Sequence, residues 1–283
     1  FCSYCVVPFT RGKLISKNSE DIYREVEYLV EKGIREVILL GQNVNEYGRD
    51  TGKDFSALLE KIHNIKDLVR LGFLTSHPKD IRDTLIHNFA ELPKLYKYLH
   101  LPLQSGSDRI LELMNRKYTI EKYMEIIYKV RELIPDITIT SDIIVGFPSE
   151  TEDDFKKTIN IINEIQFDDL FIFKYSPRPL TAASLMKDDV PVEEKKRRHR
   201  TILDIQEEIA IKRNRRFTGR TDDVFVLKPA NKKNGYFLGK SSSNKTVLFK
   251  SSNSRPGTLE SITFISADRR YLYGCFSGGN KEV

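Results

Sequence analysis

The sequence predicts an α/β protein: an open, partial parallel βα barrel followed by a small antiparallel β-barrel. Two observations carry this prediction. From about residue 19 to 176, helical patterns alternate with short runs rich in Val, Ile, Leu and Phe, the rhythm of βα units on a parallel sheet. From about 218 to 276 the pattern changes to closely spaced short strands parted by Asn, Ser, Gly and Lys. A length of 283 residues suits one large unit and one small one, which we place at 1–216 and 217–283.

In chain order, Ser19 followed by Glu20 and Asp21, with Ile22, Val26, Leu29 and Val30 on one face, reads as an N-capped amphipathic helix stopped at Gly33. The run from Glu36 to Gly41 follows as a buried strand. The same alternation predicts strands near 70–75, 98–103, 137–146 and 169–175, and helices near 54–64, 79–88, 107–114, 119–133 and 151–165. Five parallel strands are too few for a closed eight-stranded barrel, so we expect an open one whose first strand lies outside this sequence. Each strand runs into a polar stretch: 41–48, 75–78, 103–107, 146–150 and 175–179. Loops after the strands line the active face of such folds, so five polar loops on one rim suggest a ligand site.

Composition narrows the class. Hydrophobic residues are 40% and charged residues 30%, with 15 Gly and 11 Pro, which excludes collagen-like and disordered chains. No apolar run approaches the ~18 to 20 residues that cross a bilayer, and no signal-peptide layout opens the sequence. We therefore expect a cytoplasmic monomer without membrane contact. The net charge of +6 is concentrated in 191–220, where ten Lys and Arg face five Asp and Glu. This segment reads as a long helix with two basic clusters, which points to phosphate binding, and Arg197, Arg198, Arg215 and Arg216 are the candidate RNA contacts. The five strands beyond it suggest a barrel of the oligonucleotide-binding kind, with Phe225, Tyr236, Phe237, Phe249, Tyr271 and Tyr273 set among basic residues; half of these aromatics must serve as core.

Of three cysteines, Cys2 and Cys5 stand three apart at the start. Alone, this spacing is compatible with half a zinc site, a redox pair or part of an iron-sulfur cluster. The five histidines show no zinc-ligand spacing, and the cluster reading needs a further cysteine upstream. Cys275 reads as a small buried apolar residue. The chain opens at Phe1 with the motif already in progress, so we expect the C-terminal part of something longer.

A series of stretches then occurs in order: FCSYCVVPFTRG (1–12), LLGQNVNEYG (39–48), TSHP, HLPLQSGSDRILELMNRKYT (100–119), SDIIVGFPSETEDDF (141–155) and YSPRPLTAA (175–183). Together they resemble the radical S-adenosylmethionine (SAM) methylthiotransferases, and within them the tRNA methylthioadenosine synthases of the MiaB type, with a looser, TRAM-like match over the C-terminal barrel. The resemblance implies a three-cysteine 4Fe-4S cluster, C-x3-C-x2-C, for which Cys2 and Cys5 would be the second and third metal ligands. Three thiolates leave one iron open to the amino and carboxylate groups of SAM, whose reductive cleavage yields a 5′-deoxyadenosyl radical. The radical is needed because no ordinary base removes the C2 hydrogen of an adenine.

By the same analogy Gln42 and Asn43 hydrogen-bond the methionyl group of SAM, and Gln104 and Ser105 face the ribose. Gly146 permits close approach to the adenine, Arg178 and Thr181 face the substrate or the cofactor carboxylate, and Arg11 meets a phosphate or a carboxylate. The implied activity is methylthiolation of N6-isopentenyladenosine at tRNA position 37, with the anticodon stem-loop as partner and a flavodoxin or ferredoxin as electron donor. Relatives acting on threonylcarbamoyladenosine or on a ribosomal-protein aspartate are the alternatives, and an RNA-binding module with an incomplete cluster site is one of another class. The family's N-terminal domain, with a second 4Fe-4S cluster, is absent from this sequence, so the chain alone is expected not to complete the reaction. The sequence departs from the family pattern at Leu14 and Lys17, where Glu and Arg are expected, at Ser149 and Leu180, where Gly is usual, and at Gly239-Lys240, in place of Gly-Arg.

Overall fold

In the computed structural model, which describes residues 2–231 and 233–277, a short helix α1 (Val7–Arg11) follows the cysteines directly. Asn18 then accepts the Glu20 N–H and starts α2 (Ser19–Glu31), whose Val26 and Val30 face the core. Strand β1 (Glu36–Leu39) pairs in parallel with β2 (Arg70–Phe73) across α3 (Phe55–His63). The Pro78–Asp80 stretch is a single 3-10 turn capped by His77, so the next helix, α4 (Asp83–Glu91), begins later than the sequence pattern suggests. Strands β3 (Tyr98–His100), β4 (Thr138–Val145) and β5 (Asp169–Lys174) form a second parallel group. Between them lie α5 (Asp108–Leu113), α6 (Ile120–Leu133) and α7 (Glu152–Ile165), the last opened by a reciprocal Thr151–Asp154 capping box. A lone parallel bridge, Leu71 to Leu95, links the two groups into one open arc of five strands.

The helices cover one side of this arc. Buried Leu71, Leu99, Ile139, Ile143 and Leu170 meet Leu59, Phe89, Ile127 and Ile162 from the helices in a single apolar core. The other side of the arc is different. Val37 and Leu39, like Leu170 and Ile172, pack toward the core, so strand alternation turns Ile38, Leu40, Phe171 and Phe173 to the inner face. There they are 42%, 73%, 48% and 52% exposed, where the interior of a closed barrel would be filled.

Helix α8 (Val192–Arg215) packs along β5 and leads into a closed five-stranded barrel. Its strands are β6 (Thr221–Pro229), β7 (Tyr236–Lys240), β8 (Thr246–Lys250), β9 (Leu259–Ala267) and β10 (Leu272–Phe276). Four of the five pairings are antiparallel, as expected, but β10 closes the barrel by running parallel to β8, so the barrel is mixed. Closure satisfies edge groups that a meander would leave open. Gly239 and Gly274 allow it: a Cβ on either would lie within 2.5 Å of the Val224 or Ile262 side chain. Phe249 is fully buried and Phe225 nearly so, while Tyr236, Phe237, Tyr271 and Tyr273 are partly exposed. Cys275 is only half-buried, contrary to expectation, because it falls on the outward side of β10 between core-facing Gly274 and exposed Phe276.

The barrel docks through its β7–β8 turn onto the N-terminal ends of the parallel strands. Arg70 Nη1 donates to the Ser241 carbonyl (2.8 Å), Lys97 N–H to the Ser242 carbonyl (2.8 Å) and Ser243 Oγ to the Asp136 carbonyl (2.8 Å). Asp168, its side chain fully buried, meets Lys245 from that turn (2.8 Å) and Arg213 (3.0 Å) and Arg216 (3.7 Å) from the end of α8. Burial alone would raise its pKa, but these three cations hold the carboxyl well below the usual range.

Candidate cofactor site at the C-terminal rim

Cys2 and Cys5 lie at the opposite end of the strands from the barrel turn, and the loop carrying them is tied down at each step. Ser3 N–H donates to the Met114 carbonyl (2.9 Å), Ser3 Oγ to the Leu113 carbonyl (2.8 Å), and the Ser3 carbonyl accepts from Ala183 N–H (2.8 Å). Tyr4, between the two cysteines, wedges edge-on against Phe147 in a small core with Ile110, Met114 and Tyr175. Burial pushes its phenol well up, so it stays neutral. The Cys5 N–H closes a turn on the Cys2 carbonyl (3.1 Å), leaving both half-buried thiols free of disulfides.

A cavity of about 840 Å³ opens beside them. Its wall includes Cys2, Cys5, Arg11, Gln42, Asn43 and His77. Gln42 is exposed on the loop after β1. Asn43 Nδ2 donates to Asp80 (2.7 Å) and to Glu46 (3.1 Å), while its buried Oδ1 has no hydrogen-bond partner. A buried acceptor without a partner is an exception to the usual pairing of buried polar groups, and here it belongs to a residue of the cavity wall. Burial alone would raise the Glu46 carboxyl, but Arg49, Lys79 and Asn43 bring it below its ordinary value. His77 is held down to about 3 by burial and by the neighbouring Arg116 and Lys79 cations, so it is neutral at physiological pH.

The other expected contacts are placed differently. Gln104, Ser105, Gly146 and Arg178 are not among the residues lining the cavity. Ser105 is fully buried and its Oγ accepts the Ser107 N–H (3.2 Å), so it serves the loop turn. Gln104 continues the sheet, bridging to Ile143 with φ at +73°. Gly146 has φ at +70°, and a Cβ there would collide with the Lys195 stem at 2.3 Å; its N–H donates to Glu150 (2.6 Å). Arg178 is exposed, and its carbonyl accepts from buried Thr181 (2.7 Å), which lines a smaller cavity with both cysteines.

Of the basic candidates, Arg198 is corrected. Its side chain is 5% exposed and pairs with buried Glu150 (2.6 Å) and with Glu194 (2.7 Å), so it holds the end of the Gly146 loop and is closed to a phosphate. Arg197 is half exposed but paired with Glu194 and Glu152 (both 2.6 Å), and Arg216 turns toward Asp168. Arg215 is exposed at the end of α8.

Sequence reasoning missed Arg116, Tyr118 and His77. Asn115, left-handed at φ +56°, turns the chain after α5 so that Arg116 comes back under Cys2. Arg116 Nη1 lies 3.3 Å from Cys2 Sγ, Nη2 donates to the Pro102 carbonyl (2.9 Å) and Nε to Tyr118 Oη (3.0 Å). The stretch 100–119 contains these residues, but nothing in its pattern reveals which way a side chain beyond a helix end points.

An open arc of parallel strands with a C-x2-C loop above its C-terminal rim defines the radical SAM class, and the chain belongs to the Radical SAM superfamily, matching it over residues 1–162. Over nearly its whole length it is similar to proteins named tRNA-2-methylthio-N(6)-dimethylallyladenosine synthase. The relative from Caldicellulosiruptor saccharolyticus is 43% identical over 276 residues, 97% of this chain and 58% of its own length. That from Thermodesulfovibrio yellowstonii is 45% identical over 274 residues, 97% of this chain and 63% of its own length. The chain thus spans about three fifths of these curated relatives. Coproporphyrinogen III oxidase from Escherichia coli, a radical SAM enzyme, shares the fold at 18% identity, with a TM-score of 0.52 over 77% of this chain and 51% of that one.

Membership in this superfamily implies a 4Fe-4S cluster and SAM. The residues fit them. Two thiols free of disulfides line one cavity together with Asn43, whose buried amide oxygen has no hydrogen-bond partner, although among the described residues no group of three His, Cys, Asp or Glu gathers there.

Proposed function

We propose that this chain is the catalytic and RNA-binding part of a tRNA-modifying methylthiotransferase that acts at C2 of N6-isopentenyladenosine at position 37, beside the anticodon. Identity of 43% across both the open barrel and the small β-barrel, to relatives named for that product, is the observation that carries the proposal. In this reading Cys2 and Cys5 would supply two of the thiolates that hold the 4Fe-4S cluster, and a third cysteine would complete the set. When bound, the cluster supplies the electron that cleaves the sulfonium. The chain's own residues would bind and orient: Gln42 and Asn43 on the cavity wall would hydrogen-bond the methionyl group of SAM, and Gln104, Gly146 and Arg178 sit on the neighbouring rim loops. A second 4Fe-4S cluster and a flavodoxin or ferredoxin belong to the complete system.

The inner face of the arc favours the isopentenyl substrate over its threonylcarbamoyl relative. Ile38, Leu40, Phe171 and Phe173 offer exposed apolar surface on that face, and Leu40 also lines the cavity. A branched five-carbon tail gains there by leaving water, whereas a threonyl carboxylate would lose its hydration. Polar groups share this face: His100 meets Phe171 edge-on at 5.7 Å, lies 3.5 Å from Asp142 and 2.9 Å from Thr140 Oγ1, which also meets Tyr98 Oη (2.9 Å).

RNA has a path to the site. Helix α8 begins beside the Gly146 loop and ends at the small barrel, a length of about 36 Å for its 24 residues at ~1.5 Å each. Its exposed bases, with those of the barrel, would hold the anticodon stem-loop, and 217–283 would form the TRAM-like part. The test is binding of anticodon stem-loop RNA, with and without the N6-isopentenyl group, to the full-length protein. The prenylated loop is expected to bind ~10- to 100-fold more tightly, and Phe171→Ser with Phe173→Ser should erase that preference. Equal affinity of the wild-type protein for both loops would refute the reading.

A further inference from the structure

We propose that Arg116 is a positioning residue that directs one N–H at Cys2 Sγ and thereby raises the reduction potential of the iron-sulfur cluster. The inference rests on superfamily membership and on this geometry, not on the identity of the RNA substrate. Arg116 is 8% exposed. Its hydrogen-bond partners are a carbonyl, a phenol and a sulfur, and among the described residues no carboxylate pairs with it. With no acidic partner among the described residues, its positive charge acts directly on the sulfur 3.3 Å away.

A mere tie between loops would need less. Nη2 on Pro102 and Nε on Tyr118 already join the loop after β3 to the turn after α5, and they lock the guanidinium plane. With two edges of a rigid fork fixed, the third is aimed, and its target is the cysteine sulfur. Tyr118 is itself fixed, donating to the Leu103 carbonyl (2.8 Å), and burial pushes its phenol up to about 12, so it stays a neutral prop. The fork is therefore preorganised before anything binds.

Hydrogen bonds to ligand sulfur and nearby net charge are the levers by which a protein sets the potential of such a cluster. Reduction adds one electron to the cluster and leaves its bonds to protein unchanged. A fixed buried cation beside a ligand sulfur stabilises the more negative state, so reduction occurs at a less negative potential. Cys5 has no corresponding arginine contact among the described residues. The effect is thus one-sided, acting through Cys2.

The experiment is a redox titration, followed by electron paramagnetic resonance, of the full-length protein with its cluster reconstituted and without SAM. Arg116→Gln should shift the midpoint to more negative values at unchanged iron content, and Arg116→Lys should fall between it and the wild type. An unchanged midpoint in Arg116→Gln overturns the proposal. Should that variant fail to hold iron, the wild-type protein decides. With ¹⁵N-labelled arginine, pulsed electron paramagnetic resonance of the reduced cluster should show a weak ¹⁵N coupling, and its absence overturns the proposal.

Discussion

Asp168→Asn tests how the small barrel is held to the open one. The carboxylate side chain has no exposed surface and compensates Lys245 at 2.8 Å, Arg213 at 3.0 Å and Arg216 at 3.7 Å, joining the barrel turn, α8 and the start of β5. The amide keeps the shape, and its oxygen still accepts the Ile139 N–H, a 2.9 Å bond in the native protein, so packing changes little. What is lost is the charge that balances three cations. Removing one partner from a buried ionic cluster costs about 3 to 5 kcal/mol, which lowers the midpoint of thermal unfolding by roughly 6 to 20 °C for a chain of this size. Urea titration followed by circular dichroism measures it. Because the folded pKa is depressed, the stability Asp168 contributes is fully present above the unfolded value of 3.8 and is lost as pH falls from there toward the folded value. The acid branch of the stability curve should therefore flatten in the variant. A loss below about 1 kcal/mol would refute the reasoning, since it would mean that water already screens the three cations.

Three further outcomes are expected. Leu180 adopts φ +71° and is 72% exposed, so Leu180→Gly removes a left-handed strain at little cost in packing and should stabilise the protein by about 0.5 to 1 kcal/mol in the same urea titration. His77 has a folded pKa near 3 against 6.5 unfolded, so its contribution is present above 6.5 and lost as pH falls below it; His77→Gln should reduce the decline in stability between pH 6.5 and 4 in thermal scans. For RNA binding measured against salt, Arg215→Glu should reduce the slope of log affinity by about 1, whereas Arg198→Glu, which sets a second carboxylate against buried Glu150, should lower folding stability by about 3 kcal/mol or more.

The strands and helices were legible because each carries its own period: Ile137 and Ile139 alternate with Thr138 and Thr140 ahead of the apolar stretch Ile143 to Val145, Leu170 to Phe173 is an unbroken apolar run, and Thr151 with Asp154 announces the start of α7. Ser149 and Leu180, read as departures where Gly is usual, sit at φ +69° and +71°, so the backbone demand was visible in the substitution. Tertiary direction was not legible. Arg197 and Arg198 are adjacent in one basic cluster, yet one helical step turns the second inward to Glu150, and composition is blind to that step. Parallel closure of the small barrel depends on which strand ends meet, and strand periodicity contains no such information. Arg116 was missed for a related reason: its role comes from a left-handed turn at Asn115 that brings residues 114 positions apart into contact.

The most direct test of the account is mass spectrometry of tRNA nucleosides from cells lacking the full-length gene. The account predicts that 2-methylthio-N6-isopentenyladenosine disappears, that N6-isopentenyladenosine accumulates in its place, and that the full-length gene restores the methylthio group. Persistence of the methylthio group on isopentenyladenosine in the deletion strain would contradict it.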